Sequence, residues 1–272
     1  MHDGDAHLAM RAIDSLVGQD LDHGLFEVMI AFDGGLDVKP EVEAHLQEAC
    51  ANRDFLIGMG GSGEKTGYYT VPRNYALPVG ADGRHATAPY IVNMDADNEF
   101  ESHHLRALLN AIRTPHPERG LPHFAYTRRL YVLDPGASDK MPSGPSPLIP
   151  WTRETSARLM VAPDQNFVDT GDFIAPRALY YEVGERTGYP WNPDCRRFGD
   201  WDLMVRFAKC GFFGVAIDQA SHIYHWTGKN LQTTRWTEDV VALPIEIYEE
   251  LRKRGAIINT PAKEGPDESA GE

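Results

Sequence analysis

Two carboxylates separated by one alanine, Asp95-Ala96-Asp97, follow the mostly apolar run Tyr90-Ile91-Val92-Asn93-Met94. Such a run reads as a strand buried on both faces, and in open α/β sheets ligands gather where strands end. Paired acids at that place suit a hard divalent cation, because Mg²⁺ and Mn²⁺ prefer oxygen ligands and share them with phosphates. The same residue types also cap helices and complement the helix dipole. Asn98 with Glu101 resembles a capping box ahead of an apolar stripe of Leu105, Leu108, Leu109 and Ile112, which sets the acids at a strand-to-helix junction. A further acid, Asp33, closes the strand-like run Phe26 to Phe32. Asp200 and Asp202 open a helix whose Leu203, Met204, Phe207 and Ala208 face the core until Gly211 stops it, so each is a candidate for capping or for proton transfer.

The elements that must hold these side chains alternate. A helix from Leu8 to Val17 precedes the strand at Phe26 to Phe32. A helix opened by Asp37 and Pro40 follows, and then a short strand, Phe55-Leu56-Ile57. Alternation of this kind builds a sheet with parallel strands. Gly58 to Thr66 invites a phosphate-loop reading, but Glu64 separates the glycine from Lys65-Thr66. The helix such a loop needs is replaced by Tyr68-Tyr69-Thr70-Val71-Pro72, a β-leaning run that ends in proline, so a flexible glycine loop is expected. Strands are expected over Phe124 to Leu133, Phe167 to Ile174 and Phe212 to Ile217, with a helix from Pro176 to about Val183. The Pro-, Gly- and Ser-rich stretch from Asp134 to Pro150 reads as a surface loop or lid. A last helix near Pro244 to Arg254 and a polar tail from Pro261 complete the chain.

Composition narrows the function classes. At 272 residues the chain is long enough for one large α/β domain or two small ones. A formal net charge of -14 argues against a general binder of nucleic acid or of anionic membranes. Three cysteines without a CxxC pair suggest neither a zinc site nor a disulfide framework. No apolar run is long enough to cross a bilayer, and Met1-His2-Asp3-Gly4-Asp5 lacks the basic and apolar regions of a signal peptide, so a soluble cytoplasmic protein is expected.

Taken together, over most of residues 6 to 230, these pieces resemble the family 2 glycosyltransferases of the GT-A fold. Ala12 to Asp20 resembles the first helix of that family, Glu27 to Gly35 its acid-terminated strand, and Arg73-Asn74 its Ala-Arg-Asn segment. Asp95-Ala96-Asp97 resembles the DXD motif, and Asp200-Trp201-Asp202-Leu203 with Arg206 the Glu-Asp-X-Asp-Leu-X-X-Arg segment. The resemblance implies a mixed central sheet flanked by helices. It also implies a nucleoside diphosphate sugar as donor, with Asp33 near the base and Arg73 near the base or pyrophosphate. Asp97 is placed on Mn²⁺ or Mg²⁺, Asp95 towards the ribose and the metal shell, and Asp200 is the base that deprotonates an acceptor hydroxyl. Asp172, Trp201 and Asp202 fall on the acceptor side. His225, or else His222, completes the metal shell. The reaction implied is an inverting transfer to a glycan, lipid-linked or small-molecule acceptor.

The expected layout is one GT-A domain over residues 1–260 and a disordered tail over 261–272. Within the domain, 1–133 form the donor half, 151–235 the acceptor and catalytic half, and 236–260 a C-terminal helix. The chain departs from the family pattern in several places. It starts at the first helix, so the usual opening central strand is not in it, and Gly199 stands where a Glu usually precedes Asp200. These departures keep two rivals in view: a catalytically silent sugar-nucleotide or glycan-binding domain, and a sugar-phosphate nucleotidyltransferase.

Overall fold

A computed structural model describes residues 6–34, 40–51, 56–61, 63, 65, 69–77, 87–135, 143–160, 166–187, 189–193, 195 and 198–226. Helix α1 (Ala6–Val17) buries Leu8, Ala9, Ala12 and Ile13, a helical spacing that places all four on one face. Strand β1 (Glu27–Phe32), helix α2 (Pro40–Ala51) and strand β2 (Leu56–Gly61) follow. The two strands pair in parallel, with Glu27 opposite Leu56 and Phe32 opposite Gly61. Ala9 and Ile13 of α1 pack with Val42 and Leu46 of α2, and Ile30 and Met59 of the strands join them to form a small core. The glycine run expected as a flexible loop is therefore largely strand: Gly58-Met59-Gly60-Gly61 completes β2.

Helix α3 (Thr70–Ala76) replaces the β-leaning run read at Tyr68 to Pro72. Pro72 falls in its first turn, where the missing N–H has no intrahelical partner to lose. Strands β3 (Tyr90–Val92) and β4 (Glu99–Phe100), helix α4 (His104–Arg113), strand β5 (Phe124–Leu133) and the short β6 (Gly144–Pro145) come next. They are followed by α5 (Arg153–Leu159), β7 (Phe173–Pro176), α6 (Arg177–Thr187), α7 (Gly199–Lys209) and the long strand β8 (Gly214–Trp226). The larger sheet has the order β3-β7-β5-β8-β4, with β6 on β5. In it β5 and β8 run parallel, whereas β3–β7, β5–β7 and β4–β8 are antiparallel, so the sheet is mixed.

Three local readings change. Asn98 does not cap a helix. Strand β4 intervenes, α4 begins at His104 behind His103 with no side-chain cap, and the Asn98 side chain instead accepts the His225 amide at 3.1 Å. The single strand expected over Phe167 to Ile174 divides into a 3-10 turn, Thr170–Asp172, and β7. Strand β3 lies at the margin of its sheet with only Ile91 buried, rather than enclosed on both faces.

The main core gathers Phe124, Tyr126, Phe173, Trp191, Trp201 and Phe207 from strands, loops and α7. Every residue from Trp201 to Phe207 is buried, so α7 is enclosed on all sides. Among the described residues β1 pairs with β2 alone and β3 with β7 alone. The sheet that the family resemblance implies as continuous is thus in two parts. They meet through α3, which packs on β1 and β2, through Met29 of β1, which packs on the main core, and through the Glu27 carboxylate, which accepts the backbone N–H groups of Thr87 and Ala88. The helix expected at 244–254, the tail at 261–272 and residues 136–142 of the Pro- and Ser-rich stretch lie outside the described residues.

Candidate active site

Helix α3 supplies the cation at the centre of the site. The Arg73 guanidinium lies 4.1 Å from the centre of the Tyr69 ring and 4.8 Å from that of Trp191. It donates through Nη1 to Thr170 Oγ1 at 3.2 Å and through Nη2 to Asp95 Oδ1. Its aromatic walls and fixed acceptors hold the planar fork in one orientation, as a lysine could not. The next residue locks the arrangement: Asn74 donates to the Trp191 carbonyl at 2.6 Å and accepts the Trp191 N–H at 2.8 Å. The pairing of Arg73 with Asn74 in sequence thus carries two jobs, one towards a ligand and one towards the loop that walls it.

Tyr69 links the cation to Asp200. Its hydroxyl accepts the Gly199 N–H at 2.9 Å and donates to Asp200 Oδ1 at 3.3 Å, while Asn166 Nδ2 donates to Asp200 Oδ2 at 2.8 Å. Burial, and next the charge of Asp169, push the Asp200 carboxyl up to about 7. Burial and the Asp200 charge raise the Tyr69 phenol well above its ordinary range, which keeps it a donor at neutral pH. Gly199 now has a physical reason. A Cβ at that position would stand 2.6 Å from Thr70 Cγ2 and 3.1 Å from the Tyr69 ring, so the side chain that usually precedes the base has given way to close packing of α3 on α7.

Beneath these groups lies a buried ionic layer. Arg129 of β5 reaches Asp169 Oδ2 at 3.0 Å and Asp172 Oδ2 at 3.1 Å, and His222 Nδ1 lies 2.8 Å from Asp172 Oδ1. Burial alone would raise Asp169, but Arg129 holds its carboxyl below the ordinary range. Tyr224 of β8 completes the wall. Burial and the charges of Asp169, Asp97 and Asp95 raise its phenol well above the usual value, which locates its hydroxyl on the side of those acids.

Arg73, Asp95 and Asp200 are brought together as the sequence suggests. Asp33 is half-buried at the end of β1, the strand on which α3 packs, and Asp97 is half-buried in the turn that follows β3. Other expected residues are placed differently. Asp172 is fully buried and engaged by Arg129, His222 and the Asp169 N–H, so it supports the site from below rather than facing an acceptor. Trp201 is core, its Nε1 donating to the Leu159 carbonyl at 2.6 Å. Asp202 is buried against Arg206 at 2.7 Å, and Arg206 in turn binds the Tyr189 and Pro190 carbonyls. His222 is fully buried. His225 has Asp134 Oδ1 2.7 Å from Nδ1 and Glu99 Oε1 2.6 Å from Nε2, so carboxylates occupy both ring nitrogens that a metal would need. Among the described residues no group of three or more His, Cys, Asp or Glu side chains is gathered to hold a metal ion.

Sequence reasoning missed Tyr69, Asn166, Asp169, Arg129 and Tyr224. Only Asp169 carried a local signal, as one of the two acids in Asp169-Thr170-Gly171-Asp172. The others are assigned by contacts across more than thirty positions of chain, for example Asn166 with Asp200 and Tyr69 with Asp200.

The architecture defines a class: it is the GT-A, or nucleotide-diphosphosugar transferase, fold, a mixed sheet flanked by helices. The chain shares this fold with S. aureus TarS, with a TM-score of 0.55 and 14% identity over 91% of this chain and 41% of that one. The TarS 1–349 structure aligns with a TM-score of 0.54 at 14% identity, covering 92% of this chain and 68% of that chain. The complex of the same segment with UDP-GlcNAc aligns with a TM-score of 0.54 at 14% identity, covering 87% and 62%. This chain therefore spans well under half the length of TarS. No family model and no curated protein matches it. Among the described residues no helix is long and apolar enough to cross a membrane.

Proposed function

We propose that the chain is a family 2-like glycosyltransferase that moves a sugar from a nucleoside diphosphate donor to an acceptor hydroxyl with inversion, using Mn²⁺ or Mg²⁺. The observation that carries this reading is the contact series from Asp95 through Arg73 and Tyr69 to Asp200, which sets an anion-binding cation and metal-suited acids beside an oriented carboxylate. Support for the donor comes from the fold shared with structures solved with UDP and with UDP-GlcNAc.

In this reading Arg73 binds the pyrophosphate and Asp33 the nucleotide base. The hard oxygens of Asp95 and Asp97 suit Mn²⁺ or Mg²⁺, whose remaining ligands are donor phosphates and water, without His225. Bound there, the cation would neutralise charge on the departing diphosphate. Asp200 accepts the acceptor hydroxyl proton as that oxygen attacks the anomeric carbon. The bond from carbon to phosphate oxygen breaks with its electron pair on the diphosphate, and the proton stays on Oδ of Asp200. Tyr69 and Asn166 hold the carboxylate in line. The acceptor, a glycan, a lipid-linked sugar or a small molecule, approaches from the Asp200 side.

Calorimetric titration with UDP, GDP and dTDP, each with Mn²⁺ and with EDTA, tests the reading. Metal-dependent binding of one nucleotide is expected, followed by slow donor hydrolysis. Asp97→Asn should weaken the metal-dependent binding, whereas Asp200→Asn should keep binding and abolish transfer. A folded protein that binds none of the three refutes the donor assignment, and one that binds without any turnover is a silent sugar-nucleotide module instead.

A further inference from the structure

Helix α1 lies outside the contact series from Asp95 to Asp200, yet one of its side chains reaches the acid turn. Arg11 Nη2 donates to the Asp97 backbone carbonyl at 3.0 Å, across 86 residues of chain. Its Nε lies 3.1 Å from Glu99 Oε1 and its Nη1 3.7 Å from Asp134 Oδ2. The same two carboxylates hold His225 from either side, and the His225 amide is bound by Asn98. The turn itself closes where the Asn98 N–H donates to the Asp95 carbonyl at 3.1 Å.

We propose that Arg11, with Glu99, Asp134 and His225 as its frame, is a positioning residue that holds the Asp95–Asn98 turn with its carboxylate side chains turned towards donor and cation. The guanidinium occupies the Asp97 carbonyl and leaves the Asp97 carboxylate as the oxygen donor presented to an ion. A fork with fixed acceptors on two elements can restrain a turn in a way that a single point charge cannot. The clamp also offsets a concentration of acids, Asp95, Asp97, Glu99 and Asp134, within one short segment and the end of β5. The importance of the turn for donor binding rests on the transferase reading. The mechanical statement, that Arg11 restrains the turn, stands apart from it.

Two measurements on the full chain separate these. In Arg11→Gln, amide hydrogen exchange at Asn98 should accelerate about tenfold, the loss of roughly one charged hydrogen bond, while the amides of α4 and β5 keep their protection. The Mn²⁺-dependent affinity for UDP should fall about tenfold as the carboxylates lose their fixed orientation, with affinity for UDP in EDTA unchanged. Arg11→Lys, which can keep one of the three contacts, should fall between. Unchanged exchange at Asn98 overturns the clamp whatever happens to UDP. A loss of protection spread through α4 and β5 marks a damaged fold in the Gln variant; Arg11→Lys then decides, supporting the clamp if its effect is confined to the turn and overturning it if Asn98 behaves as in the parent. A loosened turn in a protein that binds no nucleotide sustains the clamp and refutes the transferase reading.

Discussion

Asp200 carries the most pH-sensitive consequence at the scale of single residues. With its carboxyl pushed up to about 7, the rate of transfer should rise with pH through that value as the base loses its proton, and flatten above it. Stability should move the other way. A carboxyl bound to its proton more tightly in the folded chain than in the unfolded one makes folding less favourable as pH climbs from its ordinary 3.8 towards about 7. Asp200→Asn escapes that loss, so melting curves of variant and parent should diverge over this window, in favour of the variant at the alkaline end. Arg129 sets a different expectation. Arg129→Ala leaves Asp169 and Asp172 buried without their cation, and denaturant titration should show a loss of roughly 3–5 kcal/mol. Gly199→Ala forces a methyl group against Thr70 and Tyr69. It should cost roughly 1–3 kcal/mol by the same measurement and lower transfer by displacing Tyr69 from Asp200.

Among the elements, α3 is where local and long-range information disagree. Its aromatic, β-branched and proline residues read as extended chain, yet Asn74 gains two hydrogen bonds to the Trp191 backbone, and Arg73 gains its aromatic walls, only if the segment coils. Asn74→Ala should therefore destabilise the fold by about 2 kcal/mol, since it leaves a backbone N–H and a carbonyl without partners. It should also weaken nucleotide binding, because the Trp191 wall is no longer held against Arg73; calorimetry on the folded variant checks this. Strand β5 was legible to its ends, Phe124 and Leu133, because an unbroken run of aromatic, branched and long side chains permits little else. The acids of β3 were legible as a site for the same reason, as polar residues that end an apolar run. What sequence spacing does not reveal is which side of a buried helix meets solvent. Asp200, Trp201 and Asp202 are adjacent in sequence, but Asp200 alone turns to the site, while Trp201 and Asp202 bond inward to the Leu159 carbonyl and to Arg206. Asn98 shows the same limit, as its capping pattern is met by a strand partner from far along the chain.

For the molecule as a whole, the division of the sheet coincides with a division of the apolar interior. Residues of α1, β1, α2 and β2, contiguous in sequence, pack around Ala9, Ile13, Val42 and Leu46, while the elements that follow share other cores. A contiguous stretch with its own core is the usual form of a unit that opens without the rest. Amides of β1 and β2 should exchange at lower free energy than those of the long β5–β8 pair, as hydrogen exchange read residue by residue would show. The proposed donor site draws Asp33 from the first unit and Arg73, Asp95 and Asp200 from the second. A ligand gripped by both makes opening of either release it, so its binding energy becomes a bond between the units. In denaturant, the free chain should then melt in two steps and the saturated chain in one, and the cooperativity of unfolding would itself report that the site is occupied.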